Sequence, residues 1–370
     1  MTKSKKVIVA GHICLDITPV FSRKEPARLE EILVPGKLVH MDQAEVSTGG
    51  AVANTGLGMK LFGAQVQLMG KVGKDPFGEM VLRILEEYQA EGNMIVKENE
   101  TTSYSLVIAP PGVDRIFLHN PGANDSFVAD DVTEEMLKDT VLFHFGYPTI
   151  MKSMYENQGE ELVKLFQKLK EKGILTSLDM AAVDPDSEAG AADWKGILTR
   201  VLPFVDFFVP SVEELCFMLD REKYDSFHGD ITDSMKTEEA VRPFGDMLMN
   251  MGAKVVLIKC GVPGMYYRTA GETILSEITE KLELKKENWS GREGFEKSYV
   301  AEKVLSATGA GDTSIAGFLT AALKGYDLDR CLHLAAAAGA SCVTAYDALG
   351  GLRPLAELEK KIDAGWQKVR

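Results

Sequence analysis

The chain has 370 residues, 45% hydrophobic and 26% charged, a balance that excludes a disordered or fibrous chain. Its formal net charge of −14 repels phosphodiester backbones and anionic lipid, so no nucleic-acid partner and no membrane partner is expected. Length alone leaves one large α/β domain or two smaller ones open.

In chain order, the apolar run Val7 to Ala10 predicts a buried first strand ended by Gly11. It is too short for a secretory leader, and Asp16 follows soon after. Short strands are expected between Lys37 and Val46. Gly49 and Gly50 then open a small-residue helix that ends at Gly63. Gln65 to Lys71 reads as a strand, and Pro76 to Ala90 as an amphipathic helix with Phe77, Met80, Val81, Ile84 and Leu85 on one stripe. Thr102 to Ala109 and Arg115 to His119 read as a hairpin around the turn PPGVD.

The second half alternates. Strands are expected at Val141 to Phe145, Ile174 to Asp179, Phe207 to Val209 and Val255 to Lys259. Helices are expected at Gly159 to Lys172, Ala191 to Leu202, Val212 to Leu219 and Glu238 to Gly252. Such alternation predicts a doubly wound, mostly parallel sheet with helices on both faces. Helices at Asp312 to Lys324, at Leu328 to Thr344 and from Pro354 close the chain. Arg221 to Lys236 and Glu277 to Lys297 read as inserted, solvated segments.

Cys14, Cys216, Cys260, Cys331 and Cys342 are odd in number and lack CxxC spacing, so a disulfide framework and a zinc site are not expected. With no apolar run near the roughly 18 residues of a membrane span, a cytoplasmic protein is expected. None of the six histidines forms a metal-ligand pair. There is no Walker A pattern and no protein-kinase signature set. Lys71 and Lys74 flank Gly73 in a way that suggests a phosphate loop, but a solvated turn is the simpler reading.

The segment most suited to chemistry is Ser306-Ala307-Thr308-Gly309-Ala310-Gly311-Asp312-Thr313, which opens a small-residue helix. Backbone N–H groups at a helix N-terminus bind anions through hydrogen bonds and the helix dipole. A carboxylate beside such a hole can accept a proton from a hydroxyl while the hole holds a developing phosphoryl charge. The alternative is that Asp312 only caps the helix. Asp16 lies just past the first strand, at the end where α/β proteins bind ligands. Gly49, Gly50 and Asn54 stand at a helix start that suits a small polyhydroxylated ligand, although Asn54 also reads as a buried, satisfied amide. Arg115, His119 and Asn124 either meet a substrate or its phosphorylated product, or, for Arg115, guard a strand edge.

The blocks GHICLDITP, TGGAVANTGLGMKLFG, GKVGKDPFGE, VDFFVPSVEEL, VLIKCGVPG and SATGAGDTSIAGF, in that order, give nearly the whole chain a resemblance to the PfkB (ribokinase-like) family of carbohydrate and nucleoside kinases. The resemblance implies one doubly wound domain over 1–370, with a β lid from about 14–46 and 100–122. It implies ATP and Mg2+ as cofactors, with a monovalent cation as a further candidate, and transfer of the γ-phosphoryl group to a hydroxyl. By the same resemblance, Asp312 is the base and the amides of Gly309, Ala310 and Gly311 form the anion hole. Asp16, Gly49, Gly50 and Asn54 hold the substrate, Glu214 helps arrange magnesium, and Gly261, Gly264 and Ala336 lie by the nucleotide. The sequence departs from the family pattern at Ser306-Ala307, where Asp-Thr is common, and at Ser211, where the Asn of Asn-x-x-Glu stands. It departs again at Ala51, where ribokinases have lysine, at Ala336, often Asn, and at Asp347, often glycine.

The expected activity is a kinase for a sugar or sugar acid. The alternatives are a nucleoside kinase and a non-catalytic sugar-binding regulator. Exposed lid strands predict a homodimer through their edges. Backbone amides and magnesium are expected to offset the acidic surface locally.

Overall fold

Val7, Ile8, Val9 and Ala10 are all fully buried, and alternate residues face opposite layers. Val7 and Val9 pack with Val52, Leu57, Ile315 and Phe318. Ile8 and Ala10 pack with Phe143, Phe145, Leu162 and Phe166. A strand apolar on both faces belongs in the middle of a helix-covered parallel sheet. The computed structural model describes residues 5–22, 25, 28–111, 115–227 and 234–370.

In chain order the strands are β1 (Lys6–Gly11), β2 (Cys14–Thr18), β3 (Glu45–Gly49), β4 (Gln65–Met69), β5 (Lys71–Gly73), β6 (Ile95–Lys97) and β7 (Tyr104–Ile108). They continue as β8 (Ile116–Asn120), β9 (Thr140–Gly146), β10 (Leu175–Asp179), β11 (Phe207–Phe208), β12 (Val255–Lys259), β13 (Gly264–Thr269) and β14 (Glu293–Lys297). The main sheet runs β14-β13-β12-β11-β10-β9-β1-β4 and the small sheet β3-β2-β7-β8. From β12 to β4 the main sheet is parallel, with Val7 beside Val66 and Leu142. This is the α/β fold class expected, with a small β layer at the mouth of the sheet.

Local chemistry explains the element ends. Asp75 caps the helix Pro76–Glu87 by accepting Gly78 N–H at 2.8 Å, with proline in the first turn. Its other oxygen accepts Thr102 N–H at 2.7 Å, tying the helix to the approach to β7. The helices Ala310–Leu323 and Leu328–Cys342 pack closely because their contact is built from small residues. A Cβ on Gly317 would lie 2.9 Å from Leu334 O and 3.1 Å from Ala338 Cβ.

Three expectations need correction. Glu277 to Lys297 is not a solvated insertion. It completes the helix Glu272–Leu282, carries fully buried Trp289, and supplies edge strand β14. Trp289 Nε1 donates to Tyr326 O at 3.1 Å, which satisfies the indole. Lys71 is not solvated: it is 2% exposed, pairs with Asp131 at 2.7 Å and donates to Ser126 O. Lys74 does lie at the surface, paired with Glu98. Between Lys37 and Val46 there is only the bridge from Met41 to Phe21 and the start of β3. Residues 112–114 of the PPGVD turn, and 228–233 of the other segment read as inserted, lie outside the described residues. That segment otherwise contains the helix Arg221–Ser226 and buried Met235.

Candidate functional site

The ends of β9, β10 and β12 meet the start of the helix Ala310–Leu323. Gly309 caps that helix with φ +73°, and a Cβ there would lie 2.3 Å from Ala348 Cβ, so both conformation and space demand glycine. Asp312 sits in the first turn, only 3% exposed. Its Oδ2 accepts Asn54 Nδ2 at 3.0 Å and its Oδ1 accepts Thr55 Oγ1 at 3.3 Å. Tyr147 Oη lies 2.8 Å from each oxygen. Asp312 is therefore more than a helix cap. Thr313 N–H closes onto Gly309 O, while Ala310 N–H turns back onto Ala307 O at 3.3 Å. Of the three expected anion-hole amides, that of Ala310 already has a partner.

Lys259 ends β12 and meets Asp179, at the end of β10, at 2.6 Å. A Cβ built on Gly311 would lie 3.6 Å from Lys259 Nζ, so this ammonium stands beside the expected anion hole. Burial opposes the lysine charge, but the attraction of Asp179, Glu214 and Asp312 outweighs it and raises the pKa. Burial pushes Asp179 up to about 8, aided by repulsion from Glu214 and Asp312 and opposed by Lys259. Burial also raises Asp312, with Lys259, Asn54, Tyr147 and Thr55 pulling the other way. The cluster thus holds one buried ammonium beside Asp179 and Asp312, both raised by burial.

Asp16 projects from β2, opposite Ser47 of β3 and beside Ser105 of β7. A Cβ on Gly49 would fall 2.0 Å from Asp16 Oδ2, so that glycine leaves the space the carboxylate fills. Burial raises Asp16, against hydrogen bonds from Cys14 and Ser105. His119 Nδ1 contacts Ser105 Oγ at 3.0 Å, and His119 Nε2 lies 3.3 Å from His12 Nε2. Burial, then the neighbouring His119, lowers the His12 pKa well below its ordinary value. Gly50 precedes the helix Ala51–Leu61, with His12 Nδ1 packed against it. Asn54 turns its amide to Asp312, which places it between the Asp16 side and the carboxylate.

Arg115 enters β8 and reaches across to the loop before the helix, donating to Thr308 Oγ1 and, at 3.5 Å, to Ser306 Oγ. His119 joins the Asp16 wall, whereas Asn124 is structural: fully buried, it grips both the N–H and the carbonyl of Ile13. Glu214 forms a capping box with Ser211, accepting Ser211 N–H at 2.7 Å. Gly261 and Gly264 make the β12–β13 turn through Gly264 N–H to Gly261 O. Ala336 is buried within the helix Leu328–Cys342. Asp347 accepts Leu349 and Gly350 N–H groups at 2.8 and 2.6 Å, so its carboxylate closes its own loop.

Sequence reasoning missed Tyr147, Thr55, Asp179 and Lys259. A signal existed for Lys259 and Asp179: each is the last residue of an expected strand, at the carboxyl end where open α/β sheets bind ligands.

The family profile of the pfkB family carbohydrate kinases matches residues 5–353. An uncharacterized sugar kinase of Archaeoglobus fulgidus is 24% identical over 80% of this chain and 98% of its own. A 5-dehydro-2-deoxygluconokinase of Clostridium perfringens is 23% identical over 80% of this chain and 78% of its own. Among solved structures, an Escherichia coli protein in complex with ATP and Mg2+ superposes with a TM-score of 0.70 at 22% identity, covering 97% of this chain and 99% of that one.

Proposed function

The chain belongs to the pfkB family of carbohydrate kinases, and from that premise we propose that it moves the γ-phosphoryl group of ATP to a hydroxyl of a sugar or sugar acid. The observation that carries this reading is the buried Asp312 carboxylate, held by Asn54, Thr55 and Tyr147 in the first turn of the helix Ala310–Leu323. The acceptor hydroxyl gives its proton to Asp312 as its oxygen bonds to the γ-phosphorus. The bond to the bridging oxygen breaks, and ADP leaves with that electron pair. General-base assistance of this kind contributes about 10²–10⁴-fold.

Helix-start amides at Gly309 and Gly311 and the Lys259 ammonium are suited to face the phosphoryl charge. Arg115, spanning from β8 to Thr308, is suited to hold the transferred group as the small sheet closes. Gly261 and Gly264 form the turn suited to lie beside the nucleotide, with Ala336 packed behind. Among the described residues, no group of three or more His, Cys, Asp or Glu is arranged to hold a metal ion. Glu214 would help hold magnesium, an ion that keeps several waters beside one or two carboxylates. Bound there, it neutralises phosphate charge.

Asp16, Gly49 and Gly50 form the acceptor side. Its rings are His12 and His119, centroids 5.1 Å apart, and they contact each other. This small polar wall suits sugar hydroxyls better than the face of a nucleobase. The edge strand β8 exposes Phe117 and Leu118 by about half, which supports pairing of two copies along that edge. Light scattering of Phe117→Glu against the parent chain tests the pairing. Among the described residues, no helix is long and apolar enough to cross a membrane. All five cysteines are buried free thiols, which suits the cytoplasm. The test of function is ADP release with ATP and Mg2+ across ketoses, aldoses, sugar acids and nucleosides, with and without potassium. Turnover confined to nucleosides would overturn the sugar reading.

A further inference from the structure

A carboxylate offers about four lone-pair sites, and three donors already stand on those of Asp312. Asn54 donates to Oδ2, Thr55 to Oδ1, and Tyr147 Oη lies 2.8 Å from both. The single Tyr147 proton is centred between the two oxygens, where the proton of an incoming hydroxyl would arrive. Of the three donors, the one that stands at that position has to give way to the acceptor. Asn54 and Thr55 are both buried in the helix Ala51–Leu61. Tyr147 is half-buried and lies outside regular helix, directly after β9. Its backbone is left-handed, φ +69° and ψ +42°, a conformation that a bulky residue rarely adopts. It is also the partner that copies an acceptor: an O–H donor at 2.8 Å, centred on the carboxylate.

We infer that the Tyr147 hydroxyl occupies the acceptor-hydroxyl position on Asp312 and keeps water off the base until a sugar displaces it. Tyr147 thereby acts as a positioning residue, working through Asp312. The inference rests on Asp312 being the base of the proposed kinase. The reaction it suppresses is hydrolysis. Water would give its proton to Asp312, its oxygen would bond to the γ-phosphorus, and the bond to the bridging oxygen would break. ADP and inorganic phosphate would leave, and Asp312 would release the proton to solvent.

The test is acceptor-free ADP release from ATP and Mg2+ in the parent enzyme, Tyr147→Phe and Asp312→Asn. Phenylalanine keeps the ring and removes the hydroxyl. A hydrogen bond to a charged group is worth about tenfold or more, so Tyr147→Phe is expected to raise acceptor-free ADP release about tenfold. ADP released per sugar phosphorylated should rise with it. A merely structural role would lower both reactions together, and that result overturns the inference. So does an unchanged ADP-to-product ratio.

A second measurement needs no variant. A deoxy analogue of the best acceptor, lacking the phosphorylated hydroxyl, should displace Tyr147 and stimulate ATP hydrolysis by the parent enzyme. Absence of stimulation overturns the inference. Asp312→Asn separates the two failures. If it abolishes sugar phosphorylation while Tyr147→Phe leaks no more than the parent, only the role of Tyr147 falls. If it turns over normally, the base assignment falls as well.

Discussion

Lys259 Nζ lies 2.6 Å from Asp179 Oδ1, with the lysine 14% and the aspartate 1% exposed, and the same ammonium flanks Gly311. Backbone amides are therefore not the whole source of positive potential at this end of an acidic protein. A side-chain cation is buried where the helix begins, beside acidic groups whose attraction outweighs its burial and raises its pKa.

Removing one partner of a buried hydrogen-bonded pair leaves the other unsatisfied, at about 1–3 kcal/mol. Lys259→Met should destabilise by that order, and Asp179→Asn in the Lys259→Met background should recover part of the loss. Denaturant unfolding of the four proteins measures the coupling. Strictly additive single effects would show that the two side chains do not depend on each other.

Stability should depend on pH through Asp179. Its folded pKa of about 8 lies above the ordinary carboxylate value of about 3.9. Between those values the folded protein holds a proton that the unfolded chain has lost, so stability falls as pH rises. The contribution is complete below the ordinary value and is lost as pH climbs through about 8. Melting temperatures between pH 5 and 8.5 should decline, and Asp179→Asn should flatten the decline.

Trp289→Ala should cost about 3–5 kcal/mol, as expected for a large buried aromatic. Trp289 is fully buried and packs edge-on to Phe318 of the helix that carries Asp312. A change below about 1 kcal/mol would mean that Glu277 to Lys297 is dispensable to the core.

That segment also shows where the sequence stopped being informative. The parallel strands and the two last long helices were legible because the strands are largely apolar, bounded runs that alternate with helices, and small residues fill the helix contact. Strand β14, Glu-Gly-Phe-Glu-Lys, was not. Its edge position lets charged residues stand where an inner strand would need apolar ones, so it reads as loop. Lys71 read as solvated because its partner Asp131 is distant in sequence. At the candidate site, Asp312, Gly309 and Asn54 were legible from a local motif and a helix start. Tyr147 and the pairing of Asp179 with Lys259 were not, because these contacts exist only after β9, β10 and β12 are brought together. The Ala310 amide, expected to stay open, is drawn into a turn by Ala307.

On the acceptor side, Gly49→Ala should drive Asp16 from its position, because the added Cβ would fall 2.0 Å from Oδ2. Misplacement of this size costs up to about a hundredfold. The loss is expected in kcat/KM for the sugar, with KM for ATP little changed. Initial rates with each substrate varied in turn measure the split. An effect confined to the ATP KM would remove Asp16 from the acceptor site.

The most direct measurement is turnover by Asp312→Asn with ATP, Mg2+ and the best acceptor, alongside sugar binding to the same variant by calorimetry. Asparagine preserves shape and removes the proton acceptor. The account predicts a kcat lower by about 10²–10⁴-fold with sugar affinity close to that of the parent. Turnover near the parent value would contradict it.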